Sequence, residues 1–488
     1  MIYNFLVKKI LKNKNSNKII FQDKYRSISW KDLYLISSYN AQLLKKKDCK
    51  NILIICDRKI NTAIAIISAI LAGKTFCPIS NKTPKLRIIY MLNILKADVL
   101  INFGNIKLDQ SLRAKEIKLN LKKKDFKNNF EISESNNDDI CYVLFTSGST
   151  GQPKGVILNY NNLLNTILWS KNYLKWAKSD KIGIATNFSF DISMFDLLSS
   201  IYFNTTAYIF SNPQNPILTH KEINKYSITS IFSVPSFFSN FVYYNLINKK
   251  FNKLKRIISG GDFLPPKIIS EWKKNHKAID IFNVWGPTET SIVNSMHLIK
   301  ENELKIIEKK MQVSIGKSTQ RMKIKIYHNK KLTSKPFTKG EITVSGKSVS
   351  QGYMGDIENK KKYIQINNKR AFLTGDIGYF NKKKQLFIIG RNDTVVKISG
   401  YRIDLKDIER TSLKIPGVTD AKAILKSYQD LKYINLFIQT NNKLQTIFRK
   451  NLSELLPDYS MPKKIFFLKK FPKTLNGKID LKRLSLNY

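Results

Sequence analysis

Acidic residues are scarce in this chain: 36 Asp and Glu stand against 84 Lys and Arg, for a net charge of +48 over 488 residues. A surplus of that size can mark a nucleic-acid, membrane or acidic-protein partner. Here the basic residues are spread along the whole sequence, and their densest runs (Lys45–Lys47, Lys122–Lys124, Lys360–Lys362, Lys382–Lys384) fall in loop-like contexts. A compositional bias on a solvated surface is the expected reading, with no nucleic-acid motif behind the charge. Cysteine is also rare. Cys49, Cys56, Cys77 and Cys141 show no C-x-x-C spacing and lie in apolar surroundings. That excludes a disulfide scaffold and points to buried free thiols in a reducing compartment. The four histidines, His220, His276, His297 and His328, are scattered, so no metal cluster is visible. With 20 glycines and 14 prolines, the chain is neither linker-rich nor disordered. Long apolar runs are missing too. Thr62–Gly73 falls short of the about 20 residues a bilayer span needs. Met1–Lys14 has neither a continuous apolar region nor a small-residue cleavage site, so it does not read as a signal peptide. No membrane contact is implied, and a cytoplasmic protein is expected.

What is present is alternation. Short, wholly apolar strands (Asn51–Cys56, Phe76–Ile79, Val99–Asn102) alternate with helical stretches (Thr62–Leu71, Lys85–Leu95). The pattern resumes at Ile182–Thr186, Ala207–Phe210, Ser230–Val234, Arg256–Ser259 and Asp280–Phe282. Strands apolar throughout imply parallel sheets covered on both faces. After about residue 310 the texture changes to short strands separated by turn residues, at Met322–Tyr327, Gly340–Ser345, Ala371–Thr374 and Leu386–Ile389. A further change follows Arg391-Asn392-Asp393: a helix over Ile403–Leu413, strands over Ala421–Leu425 and Tyr433–Thr440, and a helix over Leu444–Leu455. The expected fold class is therefore α/β. Residues 1–392 form a large domain of two α/β-layered subdomains plus a small β-rich subdomain over about 310–392. Residues 393–488 form a small α+β domain.

The chemistry starts at Thr146-Ser-Gly-Ser-Thr-Gly-Gln-Pro-Lys-Gly155, after the apolar strand Cys141–Phe145. Thr146, Ser147, Ser149 and Thr150 offer hydroxyls, Gly148 and Gly151 let the backbone close on a ligand, and Lys154 adds a positive charge. A phosphate cradle follows. It is not a Walker A loop, which needs Gly-Lys-[Ser/Thr] at its end. The tripeptides Gly73-Lys74-Thr75, Gly316-Lys317-Ser318 and Gly346-Lys347-Ser348 lack the glycine five positions earlier, where Ser68, Met311 and Glu341 stand.

Four further motifs follow in order: Asn283-Val-Trp-Gly-Pro-Thr-Glu289, Thr374-Gly-Asp376, Gly390-Arg-Asn-Asp-Thr-Val-Val-Lys-Ile-Ser-Gly-Tyr-Arg402 and Asn476-Gly-Lys-Ile-Asp480. With the cradle, they make nearly the whole chain resemble the adenylate-forming superfamily of acyl-CoA synthetases, luciferases and amino-acid adenylation enzymes. The resemblance implies ATP and Mg2+. It assigns Glu289 as the metal carboxylate and Thr288 as a phosphate contact. It counts Gly261, Asn283, Trp285 and Gly286 among the ATP-binding residues, with Trp285 offering a flat face for adenine where the family usually has tyrosine. Asp376 is assigned to the ribose hydroxyls and Arg391 to ribose or phosphate. Lys478 would bridge carboxylate and α-phosphate, where attack of one anion on another needs its charge neutralised. Asp393 resembles the hinge about which the small domain rotates, and Gly400 the lining of a tunnel for a phosphopantetheine thiol.

Phe188-Ser-Phe-Asp-Ile-Ser-Met-Phe195 resembles the amino-acid branch, in which an aspartate, here Asp191, pairs with the substrate ammonium. A helix N-cap is the bland alternative for Asp191. The remaining pocket implied by the resemblance is Ile192, Phe195, Phe232, Ile258, Gly260, Val284, Ile292, Val293 and Lys478. It is apolar between its two charged ends and suits a small or branched aliphatic side chain. Val234-Pro-Ser-Phe237, Ser348-Val-Ser-Gln-Gly-Tyr353 and Arg370-Ala-Phe-Leu-Thr-Gly-Asp376 look like D-alanine–D-alanyl carrier protein ligases, and the stand-alone length fits that group. Those ligases usually carry a cysteine where Gly260 stands, and Phe232 is bulky for alanine. The expected activity is ATP-dependent aminoacyl-AMP formation and transfer to the phosphopantetheine of a carrier protein, helped by carrier acidity. An acyl-CoA or aryl-CoA synthetase is the alternative.

Overall fold

The computed structural model describes residues 3–46, 49–108, 114–122, 130–146, 152–355, 359–366, 369–428, 431–441, 444–472 and 479–486. The chain divides into two compact units. One comprises Met1–Asn81, Leu92–Phe145 and Gly155–Asn392; the other comprises Lys82–Met91, Thr146–Lys154 and Asp393–Tyr488.

Among the described residues, three sheets build the first unit. The nine-stranded sheet has six parallel strands at its centre, in the spatial order Asp280–Trp285, Arg256–Ser259, Ser230–Ser233, Lys181–Ile184, Thr206–Ile209 and Ile19–Gln22. Its margins are antiparallel: Ser27–Ser29 on one side, and Ser295–Leu298 with Lys317–Ser318 on the other. The seven-stranded sheet carries Asn51–Cys56 between Thr75–Ser80 and Val99–Asn102, all parallel, with the cradle strands Ile140–Thr146 and Lys154–Asn159 beyond. A purely parallel arrangement, as alternation alone suggests, therefore fails at several margins: the strands there that lack βα crossovers turn back antiparallel, whereas Lys115–Glu116, at one edge of the seven-stranded sheet, stays parallel to Val99–Asn102. The third sheet is six-stranded and antiparallel, with Gly340–Gly346 and Lys369–Phe380 at its middle. It is the β-rich part expected after residue 310.

Helix Ile60–Leu71 shows how local sequence makes the core. Every residue in it except Asn61 is buried, so its nearly continuous apolar composition faces protein on all sides. All four cysteines are buried, and none is joined in a disulfide. Burial pushes the Cys77 and Cys141 thiols far above the ordinary range, which makes them inert.

The second unit holds a hairpin, Val395–Ile398 with Tyr401–Asp404, and a three-stranded sheet of Asp420–Tyr428, Leu431–Gln439 and Lys464–Leu468. The helix expected over Ile403–Leu413 begins only at Leu405. Asp404 ends the strand and caps the helix, its side chain accepting from the Lys406 N–H at 3.0 Å. The helix expected from Leu444 likewise begins at Phe448.

Candidate active site

Strand ends of the first unit carry Trp285 and Arg391, whereas Thr146 and Lys154, which border the cradle, are counted with the second unit. Ile140–Thr146 and Lys154–Asn159 are neighbours in one sheet, so Thr146 and Lys154 flank the cradle. Ser147, Gly148, Ser149, Thr150 and Gly151 lie outside the described residues, as does Lys478. Gly155 closes the motif for a steric reason: a Cβ there would sit 2.9 Å from Val143 Cγ1.

Asp191 is the first residue of helix Asp191–Phe203. The N-cap is Phe190, and no side chain caps the helix. The capping role is thereby excluded for Asp191. Its partly buried carboxylate instead accepts a hydrogen bond from the Thr288 hydroxyl, 2.7 Å from Oδ2. Tyr142, fully buried, has its phenol pushed well up by burial and further by Cys141 and the charge of Asp191.

Strand Asp280–Trp285 runs into Gly286, Pro287 and a single 3-10 turn, Thr288–Thr290. Gly286 admits no side chain, because a Cβ would lie 2.5 Å from the Ile292 carbonyl. Ser291 and Ile292 both have positive φ, 55° and 75°. That is an unusual conformation for a β-branched residue, and it holds the turn back against the strand. The Asn283 side-chain amide donates to the Ser314 carbonyl at 2.9 Å, which ties the strand to the neighbouring segment. Glu289 is 1% exposed, and Tyr353 donates its hydroxyl to Glu289 Oε1 at 2.8 Å. Tyr353 itself sits on a short strand paired with the second cradle strand, opposite Val156. A buried carboxylate held this way suits Mg2+, which takes few protein ligands and leaves the rest to water and phosphate.

Asp376 and Arg391 face each other across an antiparallel pair, and Arg391 Nη1 donates to Asp376 Oδ1. The other carboxylate oxygen, Oδ2, accepts from the Trp285 indole N–H at 2.9 Å. Gly375, with φ 77°, makes the bend, and its N–H donates to Glu341 Oε1 at 2.7 Å.

The apolar pocket residues come together. Ile192, Phe195, Phe232, Ile258, Val284, Ile292 and Val293 belong to one buried cluster. The Phe195 and Phe232 rings meet edge to face at 5.6 Å, and Trp169 stacks behind Phe195 at 6.1 Å. Gly260 is packed shut: a Cβ would stand 2.8 Å from Val284 Cγ2 and 3.2 Å from Phe232 Cε2. Gly261 has φ 85°, which explains its glycine conformationally.

In the second unit, Asp393 accepts from the Val395 N–H at 3.3 Å. Gly400 and Ser399 form the two-residue hairpin loop with φ 83° and 49°. Positive φ at both positions is what a tight hairpin needs, so the turn alone accounts for this glycine. Tyr353, Trp169 and Tyr142 were not read from the sequence as site residues. Tyr353 lies within Ser348–Tyr353, and nothing local ties it to Glu289.

Among the described residues no group of three His, Cys, Asp or Glu is placed to hold a metal, and no helix is long and apolar enough to cross a membrane. Residues 9–354 match the family model described as AMP-binding enzyme. The chain is 26% identical over 493 residues to the D-alanine–D-alanyl carrier protein ligase of Bacillus licheniformis, covering 96% of this chain and 95% of that protein. It is 27% identical over 477 residues to bacitracin synthase 3 of Bacillus licheniformis, covering 96% of this chain but only 7% of that much longer protein. Among solved structures, an NRPS protein containing adenylation and PCP domains superposes with a TM-score of 0.88 at 18% identity, over 99% of this chain and 84% of that one. The Vibrio cholerae adenylation domain AlmE, in complex with glycyl-adenosine-5'-phosphate, gives 0.85 at 18%, over 100% and 98%. The fold is thus that of adenylation domains, and the chain belongs to the AMP-binding enzyme family as an adenylate-forming enzyme.

Proposed function

We propose that this enzyme activates a small or branched apolar amino acid as its aminoacyl-AMP and passes it to the phosphopantetheine thiol of a carrier protein. The observation that carries the reading is Asp191. Its carboxylate opens a helix without capping it and bonds instead to Thr288, at the head of the turn bearing Glu289. A carboxylate placed at the site and bonded to Thr288 complements a substrate ammonium in charge. Acyl and aryl acids have no ammonium to supply.

In the first half-reaction a substrate carboxylate oxygen attacks the α-phosphorus of ATP. The P–O bond to the β-phosphate breaks, and pyrophosphate leaves. Asp191 holds the ammonium, the cradle residues hold phosphate oxygens, and Asp376 with Arg391 holds the ribose side; Thr288, with one hydroxyl proton, turns it from Asp191 to a phosphate oxygen once the ammonium occupies the carboxylate. Glu289 would hold Mg2+, which neutralises phosphate charge when bound. Lys478 supplies positive charge between carboxylate and α-phosphate. In the second half-reaction the carrier thiol loses its proton and attacks the acyl carbon. The C–O bond to AMP breaks and a thioester forms. Rotation of the small domain about Asp393 would separate the two steps.

Substrate size follows from Gly260. Phe232 and Val284 occupy the space that a side chain at 260 would need. The cysteine usual in D-alanine ligases therefore has no room unless Val284, and to a lesser degree Phe232, gives way. Full-length similarity to a D-alanine ligase supports a small substrate; the wholly apolar wall favours an aliphatic one. ATP–pyrophosphate exchange over L- and D-amino acids, with fatty and aryl acids alongside, tests the reading. Exchange should depend on an apolar amino acid and vanish in Lys478→Ala.

A further inference from the structure

We infer that Trp285 is a positioning residue for the ribose-binding carboxylate: its indole N–H fixes Asp376 so that one free lone pair on each oxygen faces the two ribose hydroxyls. The inference rests on the reading of Asp376 as the ribose ligand. It assigns Trp285 a duty that a stacking face for adenine does not include.

The geometry is an accounting of acceptor sites. A carboxylate offers about four lone-pair positions, two on each oxygen. Arg391 Nη1 takes one on Oδ1, and Trp285 Nε1, at 2.9 Å, takes one on Oδ2. One position on each oxygen remains, which matches a cis-diol donating two hydrogen bonds. The indole and the carboxylate it holds are both buried: Trp285 is 4% exposed and Asp376 3%. Each sits on a strand, Asp280–Trp285 or Lys369–Phe380. A carboxylate anchored on one oxygen alone can still turn about its Cβ–Cγ bond. A donor on each oxygen fixes its plane before ATP arrives, which lowers the ordering cost of binding. A hydrogen bond to a charged acceptor in a buried setting is also stronger than a neutral one. Phenylalanine at 285 would keep a ring face and lose the donor. Tyrosine would place its donor at the far end of the ring, away from the position of the indole nitrogen.

The test is nucleotide discrimination by the full chain. Equilibrium binding of ATP, 2′-deoxy-ATP and 3′-deoxy-ATP is measured for the wild type, Trp285→Phe and Trp285→Tyr. The wild type should bind ATP about tenfold or more tighter than either deoxy nucleotide, and both variants should cut that ratio to about threefold or less, mainly by weakening ATP. If the variants weaken all three nucleotides equally, Trp285 only stacks, and the inference is overturned alone. If the wild type does not distinguish ribose from deoxyribose, the reading of Asp376 falls, and the inference with it. A second readout needs no variant at Trp285. Of the five tryptophan indole N–H resonances, one should shift upfield and lose exchange protection in Asp376→Ala. An unchanged set of five overturns the inference.

Discussion

The Thr288 hydroxyl donates to the Asp191 carboxylate across 2.7 Å, joining residues 97 positions apart in the chain. The proposed ammonium partner and the proposed phosphate contact are therefore a single unit. Substituting one should be felt by both substrates. Thr288→Val keeps the shape and removes the donor. We expect a rise in KM for the amino acid of about tenfold, together with a fall in kcat. Steady-state pyrophosphate exchange separates the two parameters. A change in kcat alone would mean that Thr288 serves phosphate only.

Gly260 is a steric position, not a conformational one. Gly260→Cys should destabilise the protein by about 1–3 kcal/mol, because Val284 and Phe232 must move. Adding Phe232→Leu should recover part of that loss. Urea unfolding of the single and double variants measures the coupling. Simple additivity would show that Phe232 is not what fills the space.

Asp180 pairs with Arg256 inside the first unit, with side-chain exposures of 1% and 8%. Arg256 also lies 4.9 Å from the centre of the Trp176 ring. Burial by itself would raise the Asp180 pKa, but the Ala177 N–H, Arg256 and Lys255 together hold it below the ordinary aspartate value. A carboxyl depressed on folding contributes stability above its unfolded pKa of about 3.9, and that contribution is lost as pH falls through the folded value. Asp180→Asn should therefore cost about 3–5 kcal/mol at neutral pH, and the gap to wild type should close progressively below about pH 4. Urea unfolding across pH checks both the size and the sign.

Local chemistry made much of this molecule legible. The strands Asn51–Cys56, Val99–Asn102 and Arg256–Ser259 were read with their bounds because each is a short apolar run between turn residues. Helix Phe5–Asn13 was missed. Its marks were Asn4, whose side chain caps the Leu6 and Val7 N–H groups, and a one-sided burial of Phe5, Leu6, Val7 and Ile10 that looks like mere alternation with lysine. Pairings between distant segments were the harder part. Trp285 with Asp376 spans 91 residues and Tyr353 with Glu289 spans 64, and nothing local in either segment announces the other. The antiparallel sheet margins were hidden for the same reason. Direction follows from crossovers, not from strand composition.

On the proposed reading, the acid activated bears an ammonium group held by Asp191. Acid-dependent ATP–pyrophosphate exchange by the wild type and Asp191→Ala tests it most directly. Exchange is expected with small or branched apolar amino acids, reduced about a hundredfold or more in Asp191→Ala. Exchange with fatty or aryl acids only, or an Asp191→Ala enzyme as active as wild type, would contradict it.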